Sequence, residues 1–196
     1  FLVFCLVPNH LQAQFFSQNT IGISEDGART IRTVDLDQDG DKDFLIASYH
    51  SDRIGWYENH GSHQNFTFHL IKGGYDGAYS IDFIDVDNDN DLDLVACAYR
   101  DDEVHWFEND GNENFTEHLI DNLFDGAHTV SWTDIDGDND IDVLGASALG
   151  DNVTIWYNNG SQAFSRVDIS SLDGAATAWH VDIDGDSNFD ILATGT

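Results

Sequence analysis

The chain has 196 residues and a formal net charge of −30, from 37 acidic and only 7 basic residues. Such a polyanion repels phosphate backbones and anionic lipid surfaces, which argues against nucleic-acid binding. With 41% hydrophobic and 12% aromatic residues, the composition is that of a globular protein with a core.

The first residues, 1–13, have the pattern of the end of a secretory signal peptide. An apolar stretch is broken at Pro8 and followed by the small residue Ala13. The alternative is a buried first strand. Because no basic segment precedes the stretch and the chain has no Met, we expect a truncated N-terminus and a secreted or cell-surface location. Cleavage would remove Cys5 and leave Cys97 as the single thiol, so disulfides would not stabilise the fold.

The remaining sequence is a tandem repeat with a period of about 50 residues. Each unit begins with Asp-Gly-Ala and continues through a short strand-like run, an aspartate-rich loop and an apolar run. A turn and two further strand-like runs complete it. We place the units at 22–71, 72–120 and 121–169, with an incomplete fourth at 170–196 and an outer closing strand at 14–21.

The runs are short, rich in β-branched and aromatic residues and bounded by Gly, Asn and Asp, which predicts strands and not helices. Four strands in a unit of about 50 residues is the size of a propeller blade. The sequence therefore predicts an all-β fold, a β-propeller of four-stranded blades with about three and a half blades present, as a fragment of a larger ring. A β-sandwich is the alternative, but it does not explain the fixed period.

The third strand of each unit contains a tryptophan. We align 54–59 with 104–109 and 154–159, which places Trp56, Trp106 and Trp156 at one position. Such recurrence favours core packing between blades over a sugar-stacking role.

The aspartate-rich loop is a nine-residue ladder with carboxylates at positions 1, 3, 5 and 9. Calcium takes six to eight oxygen ligands, which alternating side chains supply when the loop curls, with a backbone carbonyl from position 7 and a bidentate carboxylate from position 9. Mg²⁺ is less suited, and a solvated acidic turn is the alternative. The predicted ligands are Asp35, Asp37, Asp39, Asp41 and Asp43; Asp85, Asp87, Asp89, Asp91 and Asp93; Asp134, Asp136, Asp138, Asp140 and Asp142; and Asp182, Asp184, Asp186, Asn188 and Asp190.

Position 6 of the ladder is Gly40, Asn90, Asn139 or Ser187. Asn tolerates left-handed backbone geometry well and Ser does so less well. Because the fourth loop also has Asn188 in place of an aspartate, it is the weakest of up to four expected Ca²⁺ sites.

The ladder, the preceding Asp-Gly-Ala and the following Trp-Tyr-Glu-Asn at 56–59 resemble the FG-GAP/VCBS repeats of integrin-α-like propellers, secreted microbial proteins and lectins. The resemblance covers residues 14–196. It implies a calcium-bearing β-propeller, typically seven-bladed.

The loops at the other end of the predicted strands differ between units. Aromatic and basic residues there are candidates for ligand binding, with ordinary solvated turns as the alternative. These candidates are Arg29, Tyr49, His50, Tyr79, Tyr99, Arg100 and His128.

No nucleophile elbow, zinc-protease motif or phosphate loop is present. We therefore expect a secreted or cell-surface calcium-binding module that recognises a glycan or an extracellular protein in adhesion, and not an enzyme. One alternative is a domain of an extracellular polysaccharide-degrading enzyme, either a hydrolase or a lyase with a Tyr or His base and an Arg that neutralises a uronate. A structural spacer is another.

Overall fold

The computed structural model describes residues 3–5, 18–20, 25–61, 65–186 and 188–196. Every regular element in these residues is a β-strand, and none of them forms a helix long and apolar enough to cross a membrane. The first two strands, β1 (Val3–Cys5) and β2 (Gln18–Thr20), pair with each other. The rest of the predicted signal peptide and closing strand lies outside the described residues, so both stay predictions.

The other strands form three four-stranded antiparallel sheets and one two-stranded sheet, each with its strands in chain order. Each sheet corresponds to one repeat unit, which confirms the predicted β-propeller with three complete blades and a two-stranded fourth. Blade 1 is β3 (Ala28–Val34), β4 (Asp43–Ser48), β5 (Arg53–Asn59) and β6 (Phe66–Gly73). Blade 2 is β7 (Ala78–Ile84), β8 (Asp93–Ala98), β9 (Glu103–Asn109) and β10 (Phe115–Asp121). Blade 3 is β11 (Ala127–Thr133), β12 (Asp142–Ser147), β13 (Asn152–Asn158) and β14 (Phe164–Ser171), and blade 4 is β15 (Thr177–Val181) with β16 (Asp190–Thr194).

The core lies between neighbouring blades. The second strands β4, β8 and β12 are buried along their whole length, because sequence neighbours flank them within the sheet and adjacent blades cover their faces. One apolar cluster joins blades 1 and 2 and includes Trp56 and Phe107. The next joins blades 2 and 3 and includes Trp106 and Trp156. Cys97 belongs to the second cluster, where burial raises its pKa to about 12.

The structure corrects the alignment of the third strands. The backbone amides of Asn59, Asn109 and Asn158 all donate to the last aspartate of their own ladder. The third repeat therefore aligns at 153–158, one residue earlier than predicted. Trp156 is equivalent to Phe107, and Ile155 takes the place of Trp106. Alignment on the tryptophan was misleading, because four residues separate the second and third strands in all three blades and the third blade carries its tryptophan one position later on the strand. All three tryptophans are nonetheless buried, with 5% exposure or less.

A polar cluster joins the outer strands of blades 1 and 2 around His105. This histidine pairs with Ala96 in the sheet, the place that Gly55 and Thr154 occupy in the neighbouring blades. Its Nε2 lies 3.0 Å from Oε1 of Glu117, which also binds Lys72 of blade 1. Burial, followed by the charge of Lys72, lowers the pKa of His105 to about 4.

This lowered pKa gives His105 a defined effect on stability. The folded protein keeps the ring neutral until about pH 4, whereas the unfolded chain protonates near pH 6.5, so stability is lost as pH falls between these values. We expect His105→Thr, which copies the residue of blade 3, to reduce the loss of unfolding free energy between pH 7 and pH 5 by about 1–2 kcal/mol. Urea unfolding at pH 7 and pH 5 measures this loss of unfolding free energy. The control is His50→Thr, at an exposed site. A pH dependence equal to wild type would contradict the assignment.

Candidate functional site

The four aspartate ladders connect the first and second strands of the four blades and lie side by side. Nε2 of Gln38, in the first loop, donates to the carbonyl oxygen of Asn90 at 3.0 Å in the second loop. Residues of the third and fourth loops line one shallow cavity of about 200 Å³, with Asp136 and Asn188 on its two sides. The ladders therefore form one continuous acidic rim.

Three carboxylates converge in each ladder, with one oxygen from each lying within 4.8 Å of the others. Positions 1 and 3 belong to every group, joined by position 5 in the first loop and by position 9 in the other three. Carboxylate oxygens in this arrangement suit a hard divalent cation, so the loops could each hold a metal ion. The groups are Asp35, Asp37 and Asp39; Asp85, Asp87 and Asp93; Asp134, Asp136 and Asp142; and Asp182, Asp184 and Asp190.

The aspartate at position 9 is buried in the three complete blades, with at most 1% exposure. In blade 2 the two oxygens of Asp93 accept hydrogen bonds from the backbone amides of Val86 and Asn109, both at 2.9 Å. Asp43 and Asp142 accept the equivalent pairs. The carboxylate therefore fastens the loop to the third strand, a role that the sequence analysis missed.

Burial is also the main cause of a raised pKa at these positions. It raises the pKa of Asp93 and Asp142 to about 6, with the neighbouring carboxylates of the same ladder adding to the effect. The pKa of Asp43 is raised for the same reasons. A nearby cation would favour the charged form of these groups and offset both causes.

The remaining ladder positions shape the loop. The position-5 carboxylate accepts a hydrogen bond from the position-7 amide, as between Asp39 and Asp41 at 2.8 Å. The position-7 side chain lies beside a turn glycine between the third and fourth strands, where a Cβ on Gly160 would come within 2.7 Å of Asp140 Oδ2. None of the position-7 side chains Asp41, Asp91, Asp140 and Asn188 belongs to the convergent groups found among the described residues.

Two positions in each described ladder adopt left-handed backbone geometry. Position 6 has φ of 96° at Gly40, 75° at Asn90 and 72° at Asn139, whereas Ser187 lies outside the described residues. Position 4 was not predicted to do so, yet φ is 60° at Gln38 and 66° at Asn88. Position 4 is Gln, Asn, Gly and Gly in the four copies. These residue types were the available sequence signal for left-handed geometry at this position.

A second candidate site lies at the other end of the inner strands. It is a cavity of about 340 Å³. Five of the predicted ligand-binding residues line it, together with small side chains of blades 3 and 4. The lining residues are Arg29, Tyr49, Tyr79, Tyr99, His128, Ala148, Gly174, Ala176 and Thr196.

The cavity exists because equivalent positions change size from blade to blade. The residue after Asp-Gly-Ala is Arg29, Tyr79 and His128 in blades 1 to 3 and Ala176 in blade 4. The turn after the second strand places Tyr49 and Tyr99 on the same cavity in blades 1 and 2, followed by Ala148 and Thr196 in blades 3 and 4. Large aromatic residues thus form one wall, and small residues leave space opposite.

The aromatic wall is closely packed. The guanidinium of Arg29 lies 4.9 Å from the ring centre of Tyr49 and 5.3 Å from that of Tyr79. The Tyr79 ring lies 4.1 Å from the His128 ring. Burial raises the pKa of Tyr79 and lowers that of His128.

His128 is held in one orientation by the next blade. Its Nδ1 lies 2.6 Å from the carbonyl oxygen of Ala176. Since a carbonyl can only accept, Nδ1 carries the proton, and the neutral ring presents Nε2 as an acceptor.

The other two predicted ligand residues do not line the cavity. Arg100 forms an ion pair with Asp76 at 3.2 Å and lies over the outer side of the cluster, 4.6 Å from the Tyr49 ring centre. His50 contacts Tyr49 edge-on, with the ring centres 5.0 Å apart. Arg100 and His50 therefore contact Tyr49 of the aromatic wall without lining the cavity.

Comparison with protein families agrees with this architecture. A family model described as an FG-GAP-like repeat matches residues 35–96 and again residues 85–145, which together exceed half of the chain. The chain belongs to the FG-GAP-like repeat family. Each FG-GAP match begins at the first aspartate of one ladder and ends within the second strand of the next blade, which confirms the predicted resemblance.

Among solved structures, the FG-GAP chain is similar to a lectin from Agrocybe aegerita whose structure describes specific recognition of non-reducing terminal N-acetylglucosamine. The TM-score is 0.58 and the sequence identity 18%, over 85% of this chain and 47% of the lectin. The chain therefore spans about half the length of that protein, and the likeness shows a shared fold. No curated protein matches the sequence.

Two conservative substitutions separate the predicted cation-binding role of the FG-GAP loops from their structural role. Asp87→Asn removes one charge from a repelling cluster, so in chelator we expect unchanged or slightly higher stability. In millimolar calcium, the ion that the sequence predicts, it should lose about 1 kcal/mol of the calcium-dependent stabilisation.

The matched variant Asp93→Asn should instead lower stability by about 1–3 kcal/mol in both buffers, because its single acceptor oxygen leaves one of the two buried amides that Asp93 binds without an acceptor. Urea unfolding with and without calcium measures both variants. Equal behaviour of the two in both buffers would contradict this division of roles.

Proposed function

We propose that this protein is a secreted or cell-surface, calcium-bearing β-propeller module that binds carbohydrate through the aromatic cavity. The cavity of about 340 Å³ is the observation that carries the proposal. It is at the small end of the usual range of ligand pockets, about 300–1,000 Å³. That size suits one or two sugar rings better than a protein surface.

The lining of the cavity has the two components that sugar recognition requires. Aromatic rings offer apolar faces to the C–H groups of a sugar. The hydroxyl groups of Tyr79 and Tyr99 form no hydrogen bond with any described residue, so they are available to a ligand. His128 Nε2 adds an acceptor. A fold shared with a lectin supports this interpretation.

Calcium has a structural role in the proposal. Positions 1, 3, 5 and 9 of each ladder would hold the ion, with the fourth ladder the weakest because its aspartates are exposed. Extracellular calcium modules have Kd values of about 10⁻⁴–10⁻³ M. At millimolar calcium each site would add on the order of 1 kcal/mol to the stability of the fold. Such affinities fit an extracellular location.

One observation favours a second candidate function, a uronate lyase. Arg29, Tyr79 and His128 lie on one cavity, and the ring centres of Tyr79 and the neutral His128 are 4.1 Å apart. In a β-elimination, His128 would take the proton from the carbon bearing the carboxylate, and that electron pair would form a C=C bond. The adjacent C–O bond would break, and its oxygen would receive a proton from tyrosine. Unsaturated product, detected by ultraviolet absorbance, distinguishes this function from binding alone.

The cavity can be filled with a residue that the repeat already accepts. Ala148→Tyr copies Tyr49 and Tyr99 at the equivalent position, so the fold should tolerate it. We expect at least about a tenfold loss of affinity for any saccharide that the wild type binds, because the ring occupies the ligand's space. Titration calorimetry against a panel of neutral and acidic oligosaccharides, including N-acetylglucosamine, measures it in millimolar calcium.

The matched control is Leu149→Tyr, which adds the same ring one residue further along, at a position that is 58% exposed. It should bind as the wild type does. Unchanged affinity of Ala148→Tyr would show that the cavity is not the binding site, and the absence of binding to every saccharide would contradict the proposed function itself.

A further inference from the structure

We propose that the cavity selects a saccharide that carries a carboxylate, a uronic acid residue, with Arg29 as the group that binds the anion. This inference rests on the proposed function and deepens it. It starts from the way in which the few cations of this acidic chain are distributed.

Arg29 differs from the other arginines in its lack of a carboxylate partner. The chain has five arginines and 37 acidic residues, yet Arg29 forms no ion pair with any described residue. The other four are paired at 2.7–3.4 Å: Arg32 with Asp82, Arg53 with Glu25, Arg100 with Asp76, and Arg166 with Asp121 and Asp168. The Arg29 guanidinium therefore retains hydrogen-bond donors for a ligand.

The position of this guanidinium is set in advance. Tyr49 of its own blade and Tyr79 of the next blade both lie within about 5 Å of it, which limits the rotamers of a flexible side chain. Arg29 itself is exposed and lines the cavity. A planar guanidinium fork matches a carboxylate through two parallel hydrogen bonds.

The charge of the cavity favours a ligand with a single negative charge. Among the described lining residues, Arg29 is the one arginine or lysine, and His128 is neutral. One cation balances a carboxylate, whereas a phosphate group carries about −1.5 to −2 at pH 7. The neutral donors and acceptors of Tyr79, Tyr99 and His128 would then bind the ring hydroxyls of the same sugar.

The acidic ladders do not prevent this binding. The acidic ladders follow the C-terminal ends of the inner strands, whereas Arg29 lies at the beginning of β3, a strand of seven residues. A rise of about 3.3 Å per residue separates the two ends by roughly 20 Å. This exceeds twice the screening length of about 8 Å at physiological ionic strength.

The test compares two oligosaccharides that differ in charge. Trimers of galacturonate and of galactose are titrated in millimolar calcium against the wild type, Arg29→Gln, Arg29→Lys and Arg32→Gln. The last is the control, since it removes the same charge from the same strand while Arg32 is already paired with Asp82.

We expect the wild type to bind galacturonate at least about tenfold more tightly than galactose, as a charge-assisted hydrogen bond implies. Arg29→Gln should abolish this preference and leave galactose binding within about twofold. Arg29→Lys should retain part of the preference, and Arg32→Gln should retain all of it. Added salt should weaken binding of galacturonate and not of galactose.

Four results would overturn the inference. Equal affinity for the two trimers would do so while leaving the carbohydrate-binding function intact, provided that Ala148→Tyr still blocks binding. An equal loss of both ligands in Arg29→Gln would assign the residue to packing. Tighter binding of galactose 6-sulfate than of galacturonate would replace the carboxylate with a sulfate ester. Failure to bind any saccharide would overturn the proposed function together with this inference.

Discussion

A buried carboxylate in each complete blade connects the aspartate-rich loop to the third strand. In blade 2, Asp93 accepts one amide hydrogen bond from the loop that holds the other aspartates and one from the third strand. Hydrogen bonds to a charged group contribute about 1.5–3 kcal/mol each, and burying that charge opposes them. The net effect of these hydrogen bonds is to keep the loop at a fixed position on the sheet. The convergence of the carboxylates at ladder positions 1 and 3 therefore follows from the same aspartate.

The burial of these position-9 aspartates also accounts for their raised pKa. Asp93 and Asp142 are buried and face like charges, which raises the pKa of each to about 6. A fold that places several carboxylates around a buried one is poorly stable without a counter-charge. The geometry and the electrostatics of the ladder are therefore both suited to a bound cation.

The repeat was largely predictable, because its information is local. The period, the strands and the convergence of the ladder carboxylates follow from residue types at fixed spacing. The register of β13 was not, since the third blade carries its tryptophan one position later on the strand, and a slip of one residue reverses which side chains face which blade. The left-handed geometry at Gln38 was also missed because Gln is an uncommon residue there.

The cavity shows a different limit of sequence reasoning. Variation between repeats pointed to Arg29, Tyr79 and His128, which line the cavity, but it did not separate them from residues that do not. Arg100 was a candidate on the same grounds as Arg29, yet it is paired with Asp76. The decisive residues were small ones, Ala148 and Ala176, whose contribution is space. Small side chains carry no chemical signal in a sequence, and their effect appears only when blades are placed next to each other.

The two ends of the inner strands thus differ in charge. The ladder end concentrates negative charge, and four divalent cations bound there would change the net charge from −30 to −22. The cavity end keeps one arginine free of acidic partners among the described residues. Calcium at the first end would strengthen long-range attraction of an anionic ligand to the second only modestly, because screening acts over about 8 Å. The larger effect of a bound ion would be mechanical, since it would fix loops that contact each other between blades 1 and 2, and the cavity is built from residues of four blades.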